Sequence, residues 1–393
     1  MSVTFPQGFR AAGVHAGLKA APAKDVALVV ADGPARWLRT AARFTTNRFA
    51  APPVELSRQH LGPDRPRSPR AVVLNSGGAN ACTGPDGMAD AVATASEAAQ
   101  GLGLSPAEVL VCSTGLIGER LNTEALLAGV RAGIAQLASD PAAGLAAAEA
   151  IMTTDTKVKE ASLEVHGWRL GGMAKGAGML APELATMLVV VTTDAVVSQS
   201  LAEQALAQAC TYSFDRTDSD GCMSTNDAVI LLANGASGVA PTAADFTAAL
   251  TGLCQDLAGQ LVGDAEGASH DIRIEVTGAD SEAGALAVAR AVARSNLFKT
   301  AMAGNDPNWG RILSAAGTVP VEVAAFEPNQ VDVAINGVMV CRGGGVGEPR
   351  ASVDLTERAV LVEISLGAGQ AAVTLLTNDL THEYIHINAD YSS

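Results

Sequence analysis

The chain lacks any apolar run approaching the ~20 residues that cross a bilayer. Its start, Met1-Ser2-Val3-Thr4-Phe5-Pro6, has no basic segment leading into an apolar stretch. Basic residues are few, with 26 Lys and Arg against 41 Asp and Glu and a formal charge of -15. Nucleic acid and anionic membranes are bound through clustered Lys and Arg, so this balance argues against both as partners. Six cysteines (Cys82, Cys112, Cys210, Cys222, Cys254 and Cys341) stand far apart with no C-x-x-C pair, which argues against a disulfide framework and a structural zinc site. There is no low-complexity tail and no repeat of solenoid period. The expectation is a soluble, cytoplasmic protein whose partners are small molecules or further copies of itself.

At 393 residues and 48% hydrophobic the chain has enough apolar side chain for a substantial core. Val/Leu/Ile runs at 26–30, 72–74, 109–111, 188–191 and 229–232 predict buried strands. Ala-rich amphipathic stretches at 88–101, 123–138, 143–151, 199–210, 243–260 and 281–294 predict helices between them. Alternation of the two predicts a layered α/β fold with a strand-rich tail. The three prolines and the charges from Arg58 to Arg70 predict a surface loop, and Val319 to Arg350, with Gly343-Gly344-Gly345, predicts hairpins.

The segment Gly171-Gly172-Met173-Ala174-Lys175-Gly176-Ala177-Gly178-Met179-Leu180-Ala181-Pro182-Glu183-Leu184-Ala185-Thr186 runs into Met187-Leu188-Val189-Val190-Val191. It predicts a glycine-rich loop with Thr186 held at the head of a core strand. A threonine hydroxyl is weakly nucleophilic and needs a base; cutting the preceding peptide bond frees an α-amine that serves as one. With a reference pKa of ~7.7–8.0 that amine has a useful neutral fraction near pH 7. In the uncut chain the same hydroxyl can attack the Ala185 carbonyl, giving an ester that water cleaves. By spacing alone, Thr186 is also readable as an ordinary β-branched strand residue. The phosphate-loop template G-x-x-x-x-G-K-[S/T] is absent, since Lys175 precedes Gly176.

His382-Glu383-Tyr384-Ile385-His386 satisfies the H-E-x-x-H pattern in which a helix aligns two zinc ligands. Tyr384-Ile385-His386-Ile387 is β-prone, so the expectation is a surface or half-buried strand without that geometry. His15, His60, His166 and His270 are scattered, and no Ser-His-Asp set is suggested.

Taken together the sequence resembles the ornithine acetyltransferase family, whose members generate an N-terminal threonine by self-cleavage. The resemblance runs nearly end to end. It is carried by residues 8–13 and 44–48, by Asn75-Ser76-Gly77-Gly78-Ala79-Asn80-Ala81-Cys82-Thr83-Gly84, by Ser113-Thr114-Gly115-Leu116-Ile117-Gly118, and by Met152-Thr153-Thr154-Asp155-Thr156. Residues 171–188, Ser224-Thr225-Asn226-Asp227, Asp306-Pro307-Asn308-Trp309-Gly310-Arg311 and Asn388-Ala389-Asp390-Tyr391 complete it. It implies a fold like that of the N-terminal-nucleophile enzymes: an α/β sandwich with a smaller strand-rich subdomain at about 275–393. It also implies cleavage between Ala185 and Thr186 into an α-chain, 1–185, and a β-chain, 186–393, assembled as two of each.

The activity implied is transfer of acetyl from N-acetylornithine to glutamate by a ping-pong route through acetyl-Thr186, in arginine biosynthesis, with no metal or redox cofactor. Acetyl-CoA as a second donor is left open. By resemblance the oxyanion donors are the Thr114 hydroxyl and the Gly115 N–H; without it, Thr114-Gly115 is an ordinary turn after a strand. Thr153, Lys175, Thr186, Glu266, Asn388 and Ser393 fall where the family binds substrate. Lys175 suits a substrate carboxylate, Glu266 the ornithine ammonium, and Thr153 and Asn388 oriented hydrogen bonds. Their bland readings are a solvated loop charge, an exposed turn residue and a frayed tail. Ala265, His270, Gly78, Cys222 and Ser393 depart from the family pattern and bear on substrate range. Two rival readings remain: a self-processed threonine amidohydrolase or aminopeptidase, and a binding protein that keeps the fold and never cuts itself.

Overall fold

The computed structural model describes residues 2–20, 22–63, 67–180 and 187–390. Its strands, in chain order, are β1 (Phe9–Val14), β2 (Val26–Ala31), β3 (Arg39–Phe44), β4 (Ala71–Ser76), β5 (Val109–Thr114), β6 (Lys159–Val165), β7 (Trp168–Lys175), β8 (Leu188–Thr193) and β9 (Ala228–Ala233). Six more follow: β10 (Asp271–Ala279), β11 (Asp332–Ile335), β12 (Val338–Arg342), β13 (Gly345–Val346), β14 (Ala359–Ser365) and β15 (Ala371–Asn378). The helices are α1 (Pro52–His60), α2 (Gly84–Leu102), α3 (Thr123–Ala135), α4 (Pro141–Ile151), α5 (Gln199–Thr211), α6 (Ala243–Val262), α7 (Glu282–Ala293), α8 (Asn296–Ala303), α9 (Trp309–Ala316) and α10 (His382–Asp390). Among the described residues no helix is long and apolar enough to cross a membrane.

Strand periodicity explains the layering. Successive side chains of a strand point to opposite faces, and the central strands are apolar on both. In β8, Leu188 and Val190 face one core while Val189 and Val191 face another. The first core lies between two sheets, β1-β2-β4-β5 and β3-β9-β8-β7-β6, where Leu110 and Cys112 of β5 meet Met173 of β7 and Ile230 of β9. Beyond the four-stranded sheet, α2 and α3 cover Val109 and Val111; beyond the five-stranded one, α5 and α6 cover Val189 and Leu231. The result is a helix–sheet–sheet–helix sandwich. A six-stranded sheet, β13-β12-β11-β14-β10-β15, follows, with α7, α8 and α9 packed on Ile272, Ile274 and Val276 of β10.

The predicted helices are present, with ends set by capping. Asp140 accepts from Ala143 N, and Pro141 sits in the first turn, where its missing N–H costs no bond, so α4 begins earlier than the apolar pattern does. Three expectations are corrected. Arg58–His60 belong to α1 rather than to the surface loop. Residues 382–386 are helical, not a strand: Thr381 Oγ1 accepts from Tyr384 N at 3.2 Å as an N-cap, and Asn388 donates back to Tyr384 O at 3.0 Å, which together outweigh the β preference of Tyr and Ile.

The third correction concerns the glycine-rich segment, whose first five residues are the end of β7. Gly171 and Gly172 are there for closeness of packing. A Cβ on Gly171 would lie 2.2 Å from the Ser2 carbonyl oxygen, and one on Gly172 3.0 Å from Leu257 of α6. Gly252, exposed in α6, has nothing within 4 Å of its Cβ position. Gly171→Ala is expected to cost about 2 kcal/mol or more through overpacking, whereas Gly252→Ala is expected to be neutral or to stabilise by up to about 1 kcal/mol; thermal melts of the two variants check the contrast.

Candidate active site

Thr114 and Lys175 are the last residues of β5 and β7, and both side chains point into the space between the two sheets, on the same strand faces as Cys112 and Met173. They meet there: Lys175 Nζ donates to Thr114 Oγ1 at 3.1 Å, and each residue is 1% exposed. An ammonium has donors only, so Thr114 is the acceptor in that bond and keeps its own O–H for another partner. The chain leaves β5 through Gly115 at φ +133°, where a Cβ would come 2.5 Å from Gly78 N. Gly78 N in turn donates to Thr114 O at 3.0 Å, while Gly115 N–H has no acceptor among the described residues. Among the described residues two donors at one strand end are therefore left unspent, which is what a site for a developing oxyanion requires.

A buried lysine needs compensation. Burial lowers the Lys175 pKa, opposed by the charges of Asp155, Asp227 and Glu266, with Lys159 acting in the same direction as burial. Asp155 anchors the arrangement. Its carboxylate accepts from Gly176 N at 2.6 Å, from Thr153 N at 3.0 Å and from Lys159 Nζ at 2.6 Å. Lys159, 1% exposed, also reaches Asp264 at 2.6 Å. Burial alone would raise the Asp155 pKa, but Lys175 and Lys159 outweigh it and hold the group below its ordinary value.

The remaining described candidates attach to the same segment. Glu266 N donates to Ala177 O at 2.9 Å, and the Glu266 carboxylate lies over Gly178, where a Cβ would come 2.6 Å from it. Asn388 of α10 donates to Glu266 Oε2 at 2.9 Å. Asp220 accepts from Met179 N at 2.7 Å, and burial raises its pKa. Glu266 lines a cavity of about 410 Å³ together with Asp220, Arg294, Lys299, Asp379 and Tyr384, and a second of about 300 Å³ with Thr154, Thr156 and Ile387. A larger open depression of about 620 Å³, with Arg39, Glu108 and Gln199 in its wall, contains none of these residues.

This constellation can be set beside known proteins. Residues 10–393 match the family model described as the ArgJ family. This chain belongs to the ArgJ family. Relatives named arginine biosynthesis bifunctional protein ArgJ are 55% identical in Bifidobacterium longum and 54% identical in Thermobifida fusca, each alignment covering 100% of both chains. A solved ornithine acetyltransferase from Mycobacterium tuberculosis, in complex with ornithine, is 49% identical; the match covers 48% of this chain and 96% of that one, with a TM-score of 0.44. Membership bears out the resemblance and the expectation of an acetyltransferase enzyme with an α/β fold.

Ala185, Thr186 and Ser393 lie outside the described residues. Among the other candidates, Thr114, Gly115, Thr153, Lys175, Glu266 and Asn388 converge on one stretch, 175–178. Lys175 is no solvated loop charge, and Asn388 sits within a helix rather than a frayed tail. The departures from the family pattern are accommodated. A Cβ at Gly78 would lie 2.5 Å from Leu121 Cδ2, so Leu121 fills the space. His270 is buried between Asp379, at 2.9 Å, and Leu355 O, at 3.0 Å, and stands behind Asp379 in the wall of the 410 Å³ cavity rather than lining it itself. Ala265 packs on Leu180, and Cys222 is exposed.

Sequence reasoning missed Asp155, Asp227 and Asp220 as members of the site. Asp155 and Asp227 do stand in the blocks that carry the resemblance, and that was the available signal. The H-E-x-x-H residues sit on a helix after all, one turn apart. His386 Nδ1, however, is 2.7 Å from Asp390, and among the described residues no group of three or more His, Cys, Asp or Glu side chains converges as a metal cage.

Because the Asp155 pKa is lowered on folding, the unfolded chain binds its proton first as pH falls. The stabilisation is complete above the unfolded value of about 4 and is lost as pH drops through the folded value. Asp155→Asn leaves Lys159 and Lys175 short of a counter-charge, with an expected cost of about 3 kcal/mol at pH 7. Denaturant titrations between pH 3 and 7 are expected to show a smaller loss of stability on acidification in the variant than in the wild type.

Proposed function

We propose that this chain cuts itself before Thr186 and then carries acetyl from N-acetylornithine to glutamate on the Thr186 hydroxyl. The observation that supports it most is a pair of donors with no acceptor among the described residues, Thr114 O–H and Gly115 N–H, at the strand end where Lys175 is held. At that same end of the sheet Lys175 pairs with Leu188 across β7 and β8. In maturation, Thr186 Oγ attacks the Ala185 carbonyl, the C–N bond breaks as the nitrogen takes the hydroxyl proton, and water cleaves the resulting ester. The products are the Ala185 carboxylate and a free Thr186 α-amine, on an α-chain of 1–185 and a β-chain of 186–393.

In transfer, the α-amine takes the Thr186 hydroxyl proton as Oγ attacks the acetyl carbonyl. Negative charge on the carbonyl oxygen is met by Thr114 and Gly115. Lys175 acts here through Thr114: by donating to Oγ1 it aims the hydroxyl proton away from itself. Collapse of the intermediate passes the proton to the ornithine nitrogen and leaves acetyl-Thr186; the glutamate amine then takes the acetyl group. Glu266 offers a carboxylate for the ornithine ammonium, Asn388 orients it, and Thr153 and Ser393 complete the substrate-binding set. Relatives are named bifunctional, and acetyl-CoA as a second donor to glutamate belongs to this reading. The assembly proposed is two α- and two β-chains.

Purified wild type is expected as two fragments with Thr186 at the second N-terminus, and Thr186→Ala as one inert chain; denaturing gels and intact mass distinguish them. A wild type that stays whole yet active overturns the cleavage reading, and one that splits but only releases acetate makes the protein a hydrolase. Thr114→Val, which keeps the shape and removes the hydroxyl, is expected to lower kcat about 10²–10³-fold, with Thr114→Ser retaining most of the rate.

A further inference from the structure

We infer that Lys19 binds the α-carboxylate that the acetyl donor and the acetyl acceptor have in common, and so makes the site prefer α-amino acids to plain amines. This rests on the acetyl-transfer reading above and deepens it by one subsite. Lys175, the lysine expected at a substrate carboxylate, is 1% exposed and already committed to Thr114, so that carboxylate needs another cation.

The order of the strands brings Lys19 to the oxyanion donors. β2 is antiparallel to β4 and β4 is parallel to β5, so Asp25, Ser76 and Thr114 form one row along the same edge of the sheet. Ser76 N donates to Asp25 O at 2.9 Å within that row. Neighbouring strands lie about 4.8 Å apart, which puts Asp25 about 10 Å from Thr114. The buried Asp25 carboxylate gathers the turn that precedes it, accepting from Ala16 N at 2.6 Å, Leu18 N at 2.7 Å and Lys19 N at 3.3 Å. That turn leans on the segment that Gly115 touches. A Cβ on Gly77 would come 2.7 Å from Leu18 O, and one on Gly115 would come 2.9 Å from Gly77 C.

The Lys19 side chain is aimed toward the end of α4, which leads into Thr153. Its Nζ donates to Lys24 O at 2.8 Å, Lys24 Nζ reaches Glu149 at 2.5 Å, and Ser76 Oγ donates to Ala150 O at 2.6 Å. An ammonium has three donors, and Lys24 O takes one of them on a side chain that is half-buried. Burial lowers the Lys19 pKa, with Asp25 and Asp155 opposing it and Lys175 adding to it. Asp25 is spent on backbone amides and Asp155 on Gly176, Thr153 and Lys159, so a substrate carboxylate supplies the counter-charge that Lys19 is short of.

The chemistry places that carboxylate. N-acetylornithine carries its acetyl group on the α-nitrogen, and glutamate receives it on its own α-nitrogen. In both, one carbon separates this nitrogen from the carboxylate. With the acetyl oxygen held by Thr114 and Gly115, the carboxylate falls within about 5 Å of it, a gap that the lysine stem, about 6 Å long, can close from the neighbouring turn. Ornithine leaves and glutamate enters at the same nitrogen position, so one cation serves both half-reactions.

The test measures kcat/KM for wild type, Lys19→Met and Lys19→Arg as full chains. The donors are N-acetylornithine and N-acetylputrescine, the same molecule without its α-carboxylate; the acceptors are glutamate and γ-aminobutyrate, related in the same way. Wild type is expected to favour the α-carboxylate-bearing member of each pair. Met, which keeps the stem and loses the charge, is expected to lower that preference about ten- to a hundred-fold in both pairs, and Arg to retain most of it. A Met variant that slows both members of a pair equally, as damage to the turn alone would, overturns the inference. So does one that loses the preference among donors and keeps it among acceptors. A wild type that moves no acetyl from N-acetylornithine to glutamate is a separate failure, of the transfer reading itself, and removes the inference with it.

Discussion

A lysine ammonium buried between two β-sheets is the constraint on which the site depends. Taking such a charge out of water costs several kcal/mol unless other groups compensate it. Lys175 is compensated by Asp155, Asp227 and Glu266, which reach it from three separate segments of chain. Asp155 also bonds Gly176, Thr153 and Lys159, and Lys159 continues to Asp264 at the end of α6. The charge network therefore fixes where β7 ends, how the glycine-rich segment departs from it, and where the turn that carries Glu266 sits.

The sandwich makes that placement possible. Two sheets packed face to face leave strand ends open at their rim, and polar side chains there can stand at the edge of an apolar core. Thr114 and Lys175 continue the faces of Cys112 and Met173, which are core residues. The same alternation that buries an apolar residue one step earlier aims the functional one. The six-stranded C-terminal sheet contributes at a distance: it leads into α10, whose Asn388 reaches Glu266, while Tyr384 reaches toward Asp220 with its hydroxyl 3.4 Å away.

Much of this was legible in the sequence where local pattern and tertiary environment agree. Apolar runs such as 188–191 and 229–232 became central strands because both of their faces are covered. Ala-rich stretches such as 243–260 became helices with polar caps. Legibility failed where a contact distant in sequence decides the outcome. Gly171 and Gly172 look like loop residues but occupy strand positions that the Ser2 carbonyl and Leu257 approach too closely for a side chain. Residues 382–386 look β-prone, yet the Thr381 cap makes them helical. β3 (Arg39–Phe44), with charged residues within it, shows no apolar run and draws its order from pairing with β9. The roles of Thr114 and Gly115 came through family resemblance; Asp155 and Asp227 were not singled out, since the contacts that bring them to the site, with the N–H groups of Gly176 and Met187, span 21 and 40 residues of chain.

The measurement that bears most directly on the account is a trap of the acylated enzyme. The purified protein is mixed with N-acetylornithine, without glutamate, and quenched in acid; intact mass and peptide mapping then locate any added acetyl group. The account predicts one acetyl on the fragment that begins at Thr186, at that residue, and its loss when glutamate is added with N-acetylglutamate formed in equal amount. Transfer that proceeds with no acetyl on either fragment, or with the acetyl on a different residue, would contradict it.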